Sequence, residues 1–155
     1  MKSFKSIARL SPLLLGSWLL ASGPEISAQP LPNDPRNLTG RLDNGVTWIY
    51  RPHANPPGKM SVRMHIRTGS LNESEAQRGL AHFLEHMAFN GTEHFPPGAL
   101  IAYFESIGMK FGAHLNAYTS FDETVYMLDL PNTEPGQVEK ALTVMSDYAF
   151  RASLL

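Results

Sequence analysis

Two histidines four positions apart enclose a glutamate in the run His82-Phe83-Leu84-Glu85-His86. On an α-helix, which turns about 100° per residue, positions 82, 85 and 86 share one face. Imidazoles on neighbouring turns start roughly 6 Å apart along the axis and can close on one ion. Zinc suits them: it takes neutral imidazole nitrogen readily, and a catalytic zinc commonly has three protein ligands and a water. A bound zinc lowers the pKa of that water to about 7. Glu85, one step before the second histidine, is placed to take the proton without being a ligand, and then to pass it to a leaving amine. That is the machinery for hydrolysing an amide. The competing reading is a buried helix whose histidines are satisfied by carbonyl groups. Two histidines and a glutamate at this spacing favour the metal. Glu85 is therefore the candidate catalytic residue, and His82 and His86 are the candidate zinc ligands.

The chemistry needs a platform. Leu80, Phe83, Leu84, Met87 and Ala88 follow the i, i+3, i+4, i+7, i+8 pattern and are expected to pack on a core, opposite the histidines. Asn72 or Ser74 caps this helix, which runs over about residues 75–89 and stops at Asn90-Gly91. Ahead of it, Leu38 to Tyr50 reads as a hairpin turning at Asp43-Asn44-Gly45. Met60 to Thr68 reads as a strand with Met60, Val62, Met64 and Ile66 on one side and Ser61, Arg63, His65 and Arg67 on the other. Behind it come a helix from Pro97 to Ile107, strands from Lys110 to Tyr118 and from Thr124 to Leu130, and a helix beginning near Pro135. Val138, Ala141, Leu142, Met145, Tyr148 and Ala149 form the apolar stripe of the last helix. The order β-β-β-α-α-β-β-α implies an α+β domain, a mostly antiparallel sheet with helices packed on one face. Phe83, Phe89, Tyr103 and Phe104 read as core, and so do Met60, Met64 and Met87. Among the other histidines, His65 is expected on an exposed strand face and His53 in a loop. His114 is a polar strand residue or lines a cleft, and His94, in the loop after the motif, is a fallback third ligand.

Composition narrows the setting. The chain has 155 residues, 43% hydrophobic and 17% charged, with a formal net charge of −1. That is a globular composition, and the charge gives no argument for nucleic acid or an anionic membrane as a partner. There is no cysteine, which excludes disulfides, cysteine-type zinc sites and a cysteine nucleophile. Residues 1–28 read as a secretory signal: Lys2, Lys5 and Arg9 precede an apolar run from Leu10 to Ala21, and Ser27-Ala28 offers a cleavage site. The run is short for a bilayer span, so no membrane span is expected after cleavage. Cleavage leaves 10 basic and 13 acidic residues, in an exported protein, periplasmic or secreted. Residues 29–37, with three prolines, read as an extended leader.

The stretches Gly69-Ser70-Leu71-Asn72-Glu73, Gly79 to Thr92, and Leu115-Asn116-Ala117-Tyr118-Thr119-Ser120-Phe121-Asp122-Glu123-Thr124-Val125-Tyr126 resemble the N-terminal part of the insulinase/pitrilysin family of zinc metallopeptidases, in its bacterial exported form. His-x-x-Glu-His is the inverzincin pattern. The resemblance covers about residues 38–155. It implies a LuxS/mitochondrial-processing-peptidase-like metalloenzyme fold, Zn2+ on His82 and His86, Glu85 as general base, and a peptide or unfolded protein as substrate. It also implies that Asn116 helps hold the extended substrate backbone. The family's third ligand is a glutamate on a later helix that would fall beyond Leu155, and a second related domain closes the clamshell. Residues 38–155 are therefore expected to be an N-terminal peptidase domain truncated before the third ligand and inactive alone. Two other readings stand beside this one. The first is a non-catalytic scaffold or peptide-binding partner of the same fold. The second is a small-molecule lyase using the same motif with a distant cysteine, against which the missing cysteines count.

Overall fold

The computed structural model describes residues 32–154. The expected signal at residues 1–28 and the start of the leader lie outside them. The chain divides into two units, residues 1–50 and 51–155.

The first unit contains the hairpin. Strands β1 (Leu38–Arg41) and β2 (Thr47–Tyr50) pair antiparallel from Leu38 opposite Tyr50 to Arg41 opposite Thr47. Gly45, at φ +91°, makes the tight reversal that a side chain would disfavour. Its N–H reaches the Leu42 carbonyl at 2.9 Å, and the Val46 N–H is taken by the Asn44 side chain at 3.1 Å. Across the ladder Gly40 lies under the Trp48 indole, where a Cβ would collide with the ring.

The second unit is built on a three-stranded antiparallel sheet in the order β3 (Met60–Ile66), β5 (Thr124–Leu130), β4 (Leu115–Thr119). Alternation sorts its side chains. Met60, Val62, Met64 and Ile66, with Tyr126, Leu128 and Leu130 and with Leu115 and Ala117, pack into one core. Three helices cover that face: α1 (Leu80–Asn90) through Ala88, α2 (Ala99–Ser106) through Leu100 and Phe104, and α3 (Pro135–Phe150) through Ala141, Val144, Met145 and Tyr148. The opposite face is polar. Ser61 Oγ donates to Asp129 at 2.6 Å and Arg63 pairs with the same carboxylate at 2.9 Å. His65 and the Tyr118 hydroxyl both meet Glu123, at 2.9 and 2.8 Å. This is the α+β layering that the order of elements implies. Among the described residues no helix is long and apolar enough to cross a membrane.

Several boundaries differ from expectation, for local reasons. The motif helix begins at Leu80, not near residue 75. Ser70–Asn72 and Glu75–Gln77 form separate single 3-10 turns, and Gly79, at φ +88°, breaks the path between them and α1. Gly98 at φ +79° likewise delays α2 to Ala99. Residues 110–114 make a turn in which the His114 N–H reaches the Lys110 carbonyl at 2.8 Å and His114 Nδ1 accepts the Lys110 N–H at 3.0 Å, so β4 starts at Leu115. On α3, Leu142 and Ala149 are exposed, and Val144 and Asp147 are buried in their place.

Asp147 is the buried exception in an apolar helix face, with no exposed surface. It accepts from Thr92 Oγ1 at 2.6 Å and the His94 N–H at 3.2 Å, and its second oxygen meets His94 Nδ1 at 2.8 Å. The loop after α1 is thereby tied to α3. Burial pushes the Asp147 carboxyl up, but the hydrogen bonds from Thr92 and His94 and the charge of His94 outweigh it and hold the group below the ordinary carboxylate value. A depressed folded pKa contributes stability that is complete above about pH 5 and lost as pH falls through the folded value. Asp147→Asn is therefore expected to lower the unfolding free energy at neutral pH by roughly 2–4 kcal/mol. Urea midpoints measured from neutral to acid pH should show the gap to wild type narrowing as pH falls; a gap independent of pH would contradict this assignment.

Candidate metal centre

The motif helix α1 is rolled differently from the stripe expected of it. Leu80, Phe83 and Leu84 are 51%, 60% and 47% exposed, whereas Glu85 is 6% exposed and Ala88 is buried. The inner side of α1 runs along Ala81, Glu85, Ala88 and Phe89, about a third of a turn from the expected side. Phe83, expected in the core, therefore faces outward. The cause is Glu85. A buried carboxylate needs a donor, and Thr119 at the end of β4 supplies one: its hydroxyl donates to Glu85 Oε2 at 2.9 Å. Thr124 opposite it in the ladder gives its own proton to the Thr68 carbonyl at 2.9 Å.

With Glu85 turned inward, His82 and His86 stand at the edge of the helix, exposed to solvent. Their Nε2 atoms approach to 3.0 Å and their ring centroids to 4.6 Å. Two nitrogens bound to one tetrahedral zinc at about 2.0–2.1 Å are separated by roughly 3.3 Å. The pair is thus close to the bite of a single ion, with both donors of the chemically suitable type. Among the described residues no group of three or more histidine, aspartate or glutamate side chains is arranged to hold a metal; the candidate donors brought together here are the two imidazoles.

The surroundings add residues that spacing alone does not point to. Tyr126 feels the charge of Glu85, although burial is the larger cause of its phenol being pushed up to about 12. Tyr126 packs against Tyr148 with the rings tilted by 41° and their centroids 4.8 Å apart. Thr119 belongs to the quoted block around Asn116, but nothing in its type marks it as a donor to a residue 34 positions earlier. A cleft of about 370 Å3 lies beside the motif, lined by His82, Glu73, Thr119, Ser120 and Phe121 among others. Asn116 is exposed on β4. Opposite Met127 in the ladder, it sits on the sheet face away from Leu115, Ala117 and Thr119, and so away from the contact with Glu85. His94 is committed through Nδ1 to Asp147 and lines a separate, open cleft of about 780 Å3 along α3 that includes neither motif histidine. His65 is on the polar sheet face and His114 in the turn before β4.

Comparison with known proteins finds that residues 51–155 match the insulinase family, peptidase family M16. A probable zinc protease, PqqL, from Escherichia coli is 43% identical over 141 residues, covering 91% of this chain and 15% of that protein. The crystal structure of the first half of the periplasmic protease PqqL from Escherichia coli superposes with a TM-score of 0.76 at 43% identity, over 79% of this chain and 26% of that one. A predicted insulinase family protease from Yersinia pestis superposes with a TM-score of 0.71 at 32% identity, over 88% of this chain and 30% of that one. The chain thus spans about one seventh of the length of the curated relative with which it shares 43% identity.

The Glu85–Thr119 contact is open to a direct test. Thr119→Val keeps the side-chain shape and removes the donor, leaving a buried carboxylate without its hydroxyl partner. Urea denaturation at neutral pH is expected to show a loss of about 1–3 kcal/mol. A loss within a few tenths of wild type would show that Glu85 is satisfied in another way.

Proposed function

The chain belongs to the insulinase family, peptidase family M16, whose model covers its residues 51–155, and from that premise we propose that it supplies the zinc-binding helix and general base of a peptide-hydrolysing enzyme. The observation that carries the proposal is the 3.0 Å approach of His82 and His86 Nε2 beside a buried Glu85. His82 and His86 hold the Zn2+ and Glu85 is the general base. Zinc, when bound, supplies Lewis acidity that makes water ionisable near neutral pH. Glu85 takes that proton and returns it to the departing amine, while the hydroxyl of Thr119 steers one of its oxygens and leaves the other for the reaction. Asn116, at the outer strand of the sheet, helps hold an extended peptide backbone.

In this reading residues 1–28 are an export signal, residues 29–37 a leader and residues 38–155 the N-terminal part of the peptidase. The periplasm is the setting that the signal pattern and the periplasmic relative favour together. Two imidazoles bind zinc less tightly than three ligands do, and the relatives extend far beyond the matched segment. The chain alone therefore has little or no peptidase activity and depends on further segments for its third ligand and for closure over a peptide or unfolded protein.

Zn2+ titration against a chromophoric chelator is expected to give one site per chain, lost in His82→Ala and in His86→Ala. Fluorogenic peptides should be cleaved at or near the blank rate by the wild-type chain. Absence of zinc uptake would remove the metal reading. Cleavage at rates usual for zinc peptidases, abolished by Glu85→Gln, would sink the claim that the chain is inactive alone while supporting the role of Glu85.

A further inference from the structure

The first turn of α1 has no cap of its own. Its N-cap position is Gly79, which has no side chain, and the orphan N–H groups that begin every helix need partners. Glu73 supplies partners for two of them from outside the helix. Glu73 Oε2 accepts the Gly79 N–H at 2.7 Å and Oε1 accepts the Ala81 N–H at 2.7 Å. Ala81 immediately precedes His82. A carboxylate with both oxygens on backbone donors at a helix N-terminus also complements the helix dipole, and these bonds hold the Glu73 carboxyl below its ordinary value, the one from Ala81 most.

The arm that carries Glu73 is itself fixed. The Ser70 and Leu71 N–H groups bond to the Ser120 and Phe121 carbonyls at 3.1 and 2.8 Å. Gly69 permits that approach, since a Cβ there would collide with the Ser120 carbonyl. The Asn72 side chain closes the turn by accepting the Gly69 N–H at 3.1 Å. Ser120 directly follows Thr119, the donor to Glu85. One rigid path therefore runs from the β4–β5 turn through residues 69–73 to the first turn of α1, and Glu73 is its last link.

We infer that Glu73 is a positioning residue for the metal centre: it clamps the first turn of α1 and so fixes His82 relative to His86. The inference rests on the reading of His82 and His86 as zinc ligands. It places Glu73 outside the ligand set, because both of its oxygens are engaged by backbone N–H groups.

The test is zinc affinity of the whole chain by chelator competition, together with amide hydrogen exchange. Glu73→Ala should weaken Zn2+ binding by about tenfold and speed exchange at Gly79 and Ala81, with the Leu128 amide in β5 still protected. Glu73→Gln retains the volume and one acceptor, and should fall between Glu73→Ala and wild type, which covers the case in which the alanine variant folds poorly. Glu75→Ala, which removes an exposed carboxylate paired with Arg78, should match wild type. Wild-type affinity in Glu73→Ala, or unchanged protection at Gly79 and Ala81, would overturn the inference. A loss of a thousandfold or more would also overturn it, by making Glu73 a ligand. A wild-type chain that takes up no Zn2+ defeats the metal reading beneath the inference. That failure is distinct from failure of the clamp, which amide exchange still reads.

Discussion

Where Glu85 goes decides how α1 sits. An acidic side chain on the inward side of a helix is tolerated only where a donor awaits it, and Thr119 at the end of β4 is that donor. This contact and the packing of Ala88 and Phe89 on the core set the roll of the helix together. At about 100° per residue, His82 and His86 fall on the boundary between the buried and solvent sides, and Leu80, Phe83 and Leu84 fall outside. The imidazoles are thereby accessible to an ion while the carboxylate beside them is shielded. A metal site with a neighbouring base needs this combination, and the hydrogen bond between α1 and the sheet contributes to it.

The sheet is correspondingly two-sided. Its inner face is apolar except at the end where Thr119 and Thr124 face each other, and that is where the acid of α1 arrives. Its outer face satisfies charges among themselves, with Ser61 and Arg63 on Asp129 and with His65 and Tyr118 on Glu123. The helices' own polar requirements are met at their ends. Glu73 serves the start of α1, and Asp147 holds the loop that follows it through Thr92 and His94. Asp147 lies more than fifty residues from the groups it holds, and Glu73 lies outside the helix, six and eight residues before Gly79 and Ala81.

That distance explains which parts of the structure were legible from the sequence. The strand read from Thr124 to Leu130 is β5 with its observed limits, alternation placed the sides of β3 correctly, and Asp43-Asn44-Gly45 marked the hairpin turn. Proline at the first turn located α3. The pairing of His82 with His86 needed only the helical repeat. The beginning of α1 was not legible, because its cap is a carboxylate six residues before Gly79 instead of a neighbouring Ser or Asn. The roll of α1 was hidden for a related reason. Periodicity sends the more apolar side inward, and it cannot register a threonine 34 positions later that makes an inward glutamate acceptable. Asp147 escaped the stripe of α3 in the same way, its partners being on a loop more than fifty residues earlier.

The outward side of α1 also changes how that helix is retained. Leu80, Phe83 and Leu84 keep about half their surface in water, which leaves roughly 3 kcal/mol of hydrophobic stabilisation unused. A whole domain is usually stable by only about 5–15 kcal/mol. Most helices are held by apolar burial and tolerate substitution at polar positions. In α1 the apolar anchorage is confined to Ala88 and Phe89, whose ring meets Phe111, Tyr126 and Tyr148: the large apolar residues at 80, 83 and 84 can be trimmed at little cost to the fold of this chain, and the polar contacts of Glu73 and Glu85 carry a correspondingly larger share of the helix's attachment.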